Sequence, residues 1–431
     1  MGFEWGQTRH LGPHSKLKTQ NSKLSSLDIA IIGGGAAGFF AAITCAEANP
    51  ACRVTLFERG KSVLEKVRIS GGGRCNATHA CYDPRELVKN YPRGSRELLG
   101  PFMQFGPQQA VEWFESRGVR LKTEADGRMF PTTDNSQTII DCLERAAFRA
   151  GVQVRTSARV ERLETGADGR WQLFLNQTPT PLHFDKAMIA AGSNPAIWEL
   201  LRGLGHQIVA PVPSLFTFNT KDTRLRELAG VSVPEAALRI PETKLSAHGP
   251  LLVTHWGLSG PAILRLSAWG ARILHTLDYR FSLEINWTGT QTLAETTATL
   301  LGFKNSQGKK SILAHPQFGL PLRLWQRLAE TAGIAEGLRW ADADKQRLTQ
   351  LAGQLSAATF HIAGKSTFKE EFVTAGGVSL KEINFKTFES RILPNLYLAG
   401  ETLDIDAITG GFNFQAAWTG GWLAGRAMAG N

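Results

Sequence analysis

The apolar positions of this chain come in short runs, and the first run carries most of the information. Residues 29–32 are Ile-Ala-Ile-Ile, closed by Gly33, which reads as a buried strand. Small and apolar residues then continue through 36–48 with hardly a polar face, as in a helix covered on all sides. A second apolar run, Val54-Thr55-Leu56-Phe57, ends at Glu58. Strand, helix and strand in this order predict a βαβ unit with parallel strands.

Further along, periodicity predicts helices over 108–117 and 136–150, a parallel strand at 152–154, and a strand pair at 158–164 and 171–175. A wholly apolar strand at 187–191 is ended by Gly192. The pattern changes after Asn194. From 211 to 239 short β-like runs alternate with prolines and polar turns, and 251–254 and 279–286 continue them. Between 290 and 353 the spacing becomes helical, with Leu322, Trp325, Leu328 and Ala329 on one face and Trp325 and Trp340 as core residues. β-type residues return at 359–362. At the end, Leu396-Tyr397-Leu398-Ala399 is a strand closed by Gly400 and Glu401, and Gly410 to Asn413 open a helix over 414–427. The expected organisation is an arm (1–27), a discontinuous nucleotide-binding domain (28–194 and 374–431), an inserted β-rich domain (195–289 and 354–373) and a helical insert (290–353).

The first turn adds chemistry to this pattern. Gly33, Gly35 and Gly38 have the spacing GxGxxG, and Glu58 follows twenty residues after the last of them. Gly33 permits the tight turn, Gly35 lets a pyrophosphate approach the backbone, and Gly38 lets the helix pack on the sheet. The helix aims unpaired N–H groups and its positive dipole end at the phosphates, and the Glu58 carboxylate can accept both ribose hydroxyls. These residues imply an adenine dinucleotide. The late strand ending in Gly400-Glu401, followed by a helix opening at Gly410 to Asn413, selects FAD over NAD. A nicotinamide dehydrogenase completes its fold in one continuous block, whereas flavoproteins return a far C-terminal strand and aim a helix N-terminus at the N1 and O2 edge of the flavin. No second dinucleotide fingerprint is visible, since Gly203-Leu204-Gly205 lacks both a preceding strand and a third glycine. NAD(P)H, as the reductant, would bind transiently.

The loop Ser70-Gly71-Gly72-Gly73-Arg74-Cys75-Asn76 lets backbone approach a flat ring or a pyrophosphate, with Arg74 offering a cation and Asn76 an amide. Cys75 is either a packed residue or a thiol placed to protonate a substrate carbon, and Cys81 reads as structural. In His255-Trp256-Gly257-Leu258-Ser259-Gly260-Pro261, Ser259 is expected to cap the following helix, and His255 either stacks on substrate or is structural. Thr374-Ala375-Gly376-Gly377-Val378 reads as a crossover back to the nucleotide domain, in contact with the flavin ring.

Composition refines this reading. The chain has 431 residues, too many for one compact core. Its five cysteines have no metal-ligand spacing and suit a reducing cytoplasm; no metal is expected. No apolar run is long enough to cross a bilayer, and the first 27 residues lack the apolar centre of a secretion signal. The net charge of +10 is high for an enzyme of small neutral metabolites and points to a polyanion such as RNA.

Taken together, GGGAAG, SGGGRCN, THWGLSGPAIL, TAGGV and LAGETLDIDAITGGFNFQAAWTGG resemble the BaiN/RdsA-type FAD-dependent oxidoreductases, bacterial flavoproteins of the glutathione-reductase superfamily. The likeness runs from about Asp28 to Gly425. It implies an α/β fold, with a discontinuous Rossmann-like FAD-binding domain, an inserted β-barrel-like domain and a small helical domain. It also implies non-covalent FAD held by Gly33, Gly35, Ala36, Ala37, Gly38, Glu58, Arg59, Gly71, Gly72, Gly73, Arg74, Cys75, Asn76, Val160, Gly192, Gly400, Glu401, Gly411, Phe412 and Asn413. Family members reduce carbon–carbon double bonds in a steroid-type substrate or in uridine of large-subunit ribosomal RNA. His79, Phe388 and Ala407 stand where Asn, Met and Gly are usual, which marks a divergent subgroup.

The expected activity is hydride transfer from flavin N5 to an activated C=C bond, with Cys75, His255 and Arg74 as candidate catalytic groups. The charge favours rRNA uridine over a steroid. Two rival readings are a flavin-dependent oxidase or dehydrogenase of amines or small metabolites, and a non-enzymatic flavin-containing RNA- or ribosome-binding protein.

Overall fold

A computed structural model describes residues 26–176, 178–366 and 373–430. Up to residue 25, the expected basic arm lies outside the described residues. The first strand, Asp28–Ile32, pairs in parallel with Arg53–Phe57 on one side and Lys186–Ile189 on the other. Gln153–Arg155 extends the sheet beyond Arg53–Phe57, and Leu396–Leu398 extends it beyond Lys186–Ile189, both in parallel. Two short antiparallel strands complete a seven-stranded sheet. The chain leaves the first strand in one direction and returns on its other flank, so a crevice opens at the carboxyl ends of Asp28–Ile32 and Lys186–Ile189.

The helix after the first strand, Ala36–Ala48, is buried along most of its length because two layers cover it. One is the sheet. The other is the last helix, Phe412–Met428, which it meets through small residues. A β-carbon on Gly421 would stand 2.6 Å from the Ala37 carbonyl, and one on Gly425 would stand 2.6 Å from that of Ala41. Glycines one helical turn apart thus bring the first and last helices together.

The middle of the chain forms a second seven-stranded sheet, antiparallel, from Ala358–Ala363 at one edge to Lys365–Ser366 at the other. These edge strands are consecutive in the chain and joined at Gly364, so the sheet curls round on itself in a barrel-like form. Helices Leu293–Ser306, Leu322–Thr331 and Lys345–Ser356 share its core: Leu300, Trp325, Leu328, Trp340 and Leu351 are buried with Leu283, Ile285 and Phe360. The helical segment and the barrel therefore form one hydrophobic unit. Leu322 is a correction to the expected face. It starts its helix directly after Pro321 and is 45% exposed, while Leu324 takes the buried place beside Trp325. Helix Pro195–Gly203 contributes Ile197 and Leu201 to the first core.

Two antiparallel strands, Ile208–Ser214 and Val373–Val378, connect the units. Gly376 and Gly377 have φ of +130° and +132°, and side chains there would strike the Pro211 backbone and the Thr402–Leu403 backbone. Only glycine fits both demands.

Candidate cofactor cleft

At the crevice the three early glycines hold different positions. Gly33 has φ +117°, and its N–H donates to the Phe57 carbonyl at 2.8 Å. A β-carbon there would stand 2.4 Å from the Ala190 carbonyl, and one on Gly38 would stand 2.0 Å from the Gly33 carbonyl. Both are packing positions. Gly35, by contrast, faces open space, with nothing within 4 Å of where a β-carbon would lie. It is the N-cap of Ala36–Ala48, and no side chain caps that helix. The first-turn N–H groups, those of Ala36 and Ala37 included, are the ones a helix leaves unpaired and the ones an anion meets.

Glu58 closes the neighbouring strand. Its carboxylate accepts from Gly34 N at 2.9 Å and from Gly60 N at 2.7 Å, so two turns fix its orientation while lone pairs remain on both oxygens. The Glu58 carbonyl accepts from Ala158 N at 2.8 Å, which brings the start of strand Val160–Thr165 alongside. Val160 is buried there, and Arg59 is exposed. An uncapped helix N-terminus, a glycine cradle and an oriented acid at the adjacent strand end fit an adenine dinucleotide.

The glycine loop is largely left-handed: φ is +57° at Gly71, +68° at Gly72, +83° at Gly73 and +60° at Cys75. Gly72 and Gly73 face open space, whereas Gly71 lies against Asn76 and Phe130. With its amide oriented to satisfy its neighbours, Asn76 accepts from Gly411 N at 2.9 Å and donates to the Thr78 carbonyl at 3.0 Å. The loop is thereby docked onto the start of the last helix. The Cys75 thiol is fully enclosed, and burial pushes its pKa up to about 12. The Arg74 guanidinium turns away to stack on Phe130 at 3.9 Å, and it pairs with Glu124 at 2.6 Å and Asp134 at 3.4 Å.

The C-terminal half supplies the facing side. Lys66 Nζ donates to Glu401 Oε2 at 2.6 Å, and Ser193 Oγ donates to the same oxygen at 3.4 Å. Gly192, with φ +66°, lies against this pair, and Gly400, with φ +70°, lies against Ala37. Gly192, Glu401 and the first helix thus meet at one mouth of the crevice. The last helix is capped by Gly411 at φ +88°, again without a side-chain cap. Phe412 is packed inward, stacked on His79 with ring centroids 4.6 Å apart. Its carbonyl accepts from Tyr91 OH at 2.6 Å. The Asn413 amide is committed to both backbone groups of Ala407, accepting at 2.9 Å and donating at 3.2 Å. The polar groups that this helix end offers to a ligand are therefore backbone N–H groups with the dipole behind them.

His255 is exposed beside Trp256 on a barrel turn, and no hydrogen bond links it to these cleft residues. Ser259 does not cap the next helix, a second correction. Gly260 holds the N-cap at φ +95°, a backbone conformation suited to glycine, and Ser259 Oγ accepts from Thr217 Oγ1 at 3.1 Å.

Several residues of this region carry no local sequence signal. Lys66 and Ser193 are two. A third group joins the two units: Asp406 is fully buried, pairs with Arg93, and accepts from Ser214 Oγ at 2.8 Å. Arg93 also donates to the Ala268 carbonyl at 2.7 Å. Burial raises the Asp406 pKa against the opposing pull of Arg93. Nearby, Arg272 reaches both Asp404 oxygens at 2.7 Å. The segment before the TGG turn is in this way fastened to the barrel unit. Every one of these contacts joins residues more than 100 positions apart, so only the LDID acids could have hinted at them.

The cleft agrees with what known proteins resemble this chain. The family model described as the HI0933-like protein Rossmann domain matches residues 27–427. The 3-dehydro-bile acid delta(4,6)-reductase of Clostridium scindens is 29% identical over 411 residues, covering 93% of this chain and 98% of that protein. The ribosomal RNA dihydrouridine synthase of Escherichia coli is 28% identical over 414 residues, covering 93% and 97%. Among solved structures, a 3-ketosteroid-delta4-(5alpha)-dehydrogenase of Rhodococcus jostii aligns with a TM-score of 0.52 at 14% identity, covering 97% of this chain and 100% of that one. That likeness is one of fold.

Proposed function

This chain belongs to the HI0933-like Rossmann family, and from that premise we propose that it is an FAD-dependent reductase of an activated carbon–carbon double bond, acting in the cytoplasm on uridine of large-subunit ribosomal RNA. The observation that supports the reading is a pair of helix N-termini without side-chain caps, at Gly35 and Gly411, together with Glu58 held by the Gly34 and Gly60 amides and Glu401 held by Lys66. The first suits a pyrophosphate. The second suits negative charge gathering on a flavin ring. When bound, FAD supplies hydride from N5, and NAD(P)H visits as the donor that replenishes it.

The residues of the chain divide the work. Glu58 would hold the adenosine ribose, the open face of Gly35 would admit the phosphates, and Glu401, steadied by Lys66, would face the ribityl chain. The Gly71–Gly73 backbone would flank the flavin ring, and Asn76 ties that loop to the last helix through Gly411 N. Cys75 is enclosed and Arg74 is held in ion pairs. Of the three candidate catalytic groups this leaves His255, exposed on the barrel unit, as the one free to deliver a proton to the substrate carbon.

Two relatives are named for a bile-acid reductase and a dihydrouridine synthase, and the chemistry common to both is saturation of a C=C bond conjugated to a carbonyl. The net charge of +10 favours the polyanionic substrate of the second. Mass mapping of dihydrouridine in rRNA from a strain lacking the gene tests the assignment. Loss of one specific dihydrouridine is expected, and unchanged rRNA would refute the RNA substrate.

A further inference from the structure

The helical segment of the barrel unit carries a cleft of about 460 Å³ that has no part in the cofactor site. It lies between the turn at the end of helix Leu293–Ser306 and the short turn Trp340–Asp342, and Gln307, Gly308, Lys309, Lys310, Arg339 and Asp342 line it. The backbone there is firmly held. Lys310 N donates to the Gln307 carbonyl at 2.8 Å, Ala341 N to that of Gly308 at 3.1 Å, and Trp340 N to that of Lys310 at 3.1 Å. Trp340, fully buried, anchors the second turn in the core. Gly308 packs close enough that a β-carbon would stand 2.7 Å from the Lys304 carbonyl.

Three cations are thus presented from a fixed frame. Lys309, Lys310 and Arg339 are exposed, and among the described residues none of them makes a side-chain hydrogen bond or ion pair. Their neighbours behave differently: Lys304 donates to the Ala343 carbonyl, Arg327 pairs with Glu227 and Glu330, and Arg347 pairs with Asp344. The cleft holds a single acid, Asp342. Preorganised positive charge without an internal counter-ion is the arrangement that a chain of phosphates neutralises with release of counterions.

We propose that this cleft is a second docking site for the substrate, gripping the phosphodiester backbone of the rRNA at a distance from the reacting uridine. The proposal rests on the RNA reading above. It gives the helical segment a task that a small steroid would not require, and it makes affinity for RNA separable from the flavin chemistry.

The test is a salt-dependent binding titration of the flavin-loaded protein with an unmodified large-subunit rRNA fragment, comparing wild type with a Lys309→Ala/Lys310→Ala/Arg339→Ala variant. Lys386→Ala, exposed outside the cleft, serves as the control. The triple variant should keep its flavin spectrum, bind RNA roughly tenfold more weakly, and show a log K against log salt slope shallower by about two. The control should match wild type. Equal affinity and slope in wild type and triple variant would overturn the docking site while leaving the RNA reading intact. Failure of the wild-type protein to bind the fragment at all would overturn that reading and the site with it. Loss of binding to anionic lipid vesicles, with RNA binding unchanged, would assign the cleft to membranes instead and overturn the proposal.

Discussion

Lys66 and Glu401 meet at 2.6 Å across 335 residues of chain. Lys66 belongs to the early half of the nucleotide domain, where Leu64 N donates to the Gly34 carbonyl at 2.8 Å. Glu401 closes the late strand. The pair joins the two halves of the candidate cofactor cleft and sets the direction of the Glu401 carboxylate. The Lys66 side chain is 59% exposed, so the pair adds little to folding stability. Lys66→Met should therefore leave the melting temperature nearly unchanged while weakening FAD retention about tenfold, as expected for loss of a charge-assisted bond that orients a ligand group. Flavin-to-protein ratios after dialysis check this, and unchanged ratios would count against it.

The glycines of the first turn should separate stability from binding. Gly38→Ala places a methyl group 2.0 Å from the Gly33 carbonyl, so it should destabilise the protein by about 1–3 kcal/mol or more. Gly35→Ala meets nothing within 4 Å and should fold normally, yet lose FAD because the methyl occupies the phosphate approach. Denaturant titrations of the flavin-free proteins, with flavin content measured in parallel, distinguish the two outcomes.

The Arg93–Asp406 pair should prove costly to halve. Arg93→Met leaves the buried Asp406 carboxylate without its counter-charge, at about 3–5 kcal/mol. Replacing both partners by apolar residues should recover part of the loss. Thermal unfolding of the single and double variants measures the coupling.

His79 gives a pH dependence with a defined sign. Burial holds its imidazole below the ordinary value, outweighing the Asp126 carbonyl, which accepts at 3.1 Å and favours the charged form; Arg128 disfavours it. As pH falls through about 6.5 the unfolded chain takes up a proton that the folded one refuses, so this residue lowers stability progressively until its own depressed value is reached. Above the ordinary value it has no effect. His79→Asn should flatten the acid side of the stability curve, and identical curves for the two proteins would contradict the assignment.

What could be read from the sequence was local. The turn at Gly33, the open face at Gly35 and the close packing at Gly38 follow from spacing alone, because strand, turn and helix are contiguous. The C-terminal strand and the Gly411 helix were legible for the same reason. Ser259 was misread because its neighbour Gly260 can take φ +95° at the cap position, a conformation the serine would resist. Leu322 matched the helical period, but periodicity does not show where a helix enters its core. Lys66, Ser193, Arg93 and Asp406 were illegible as a set: their partners are fixed only once the two halves of the domain close around the insert.

We propose that this chain uses a bound flavin to saturate a double bond in RNA. The most direct test is an anaerobic mix of the fully reduced protein with unmodified large-subunit rRNA, following the visible flavin band and quantifying dihydrouridine in the product. The oxidised band should return, with one dihydrouridine formed per flavin. A band that stays bleached with rRNA and returns only when oxygen is admitted, with no dihydrouridine made, would contradict it.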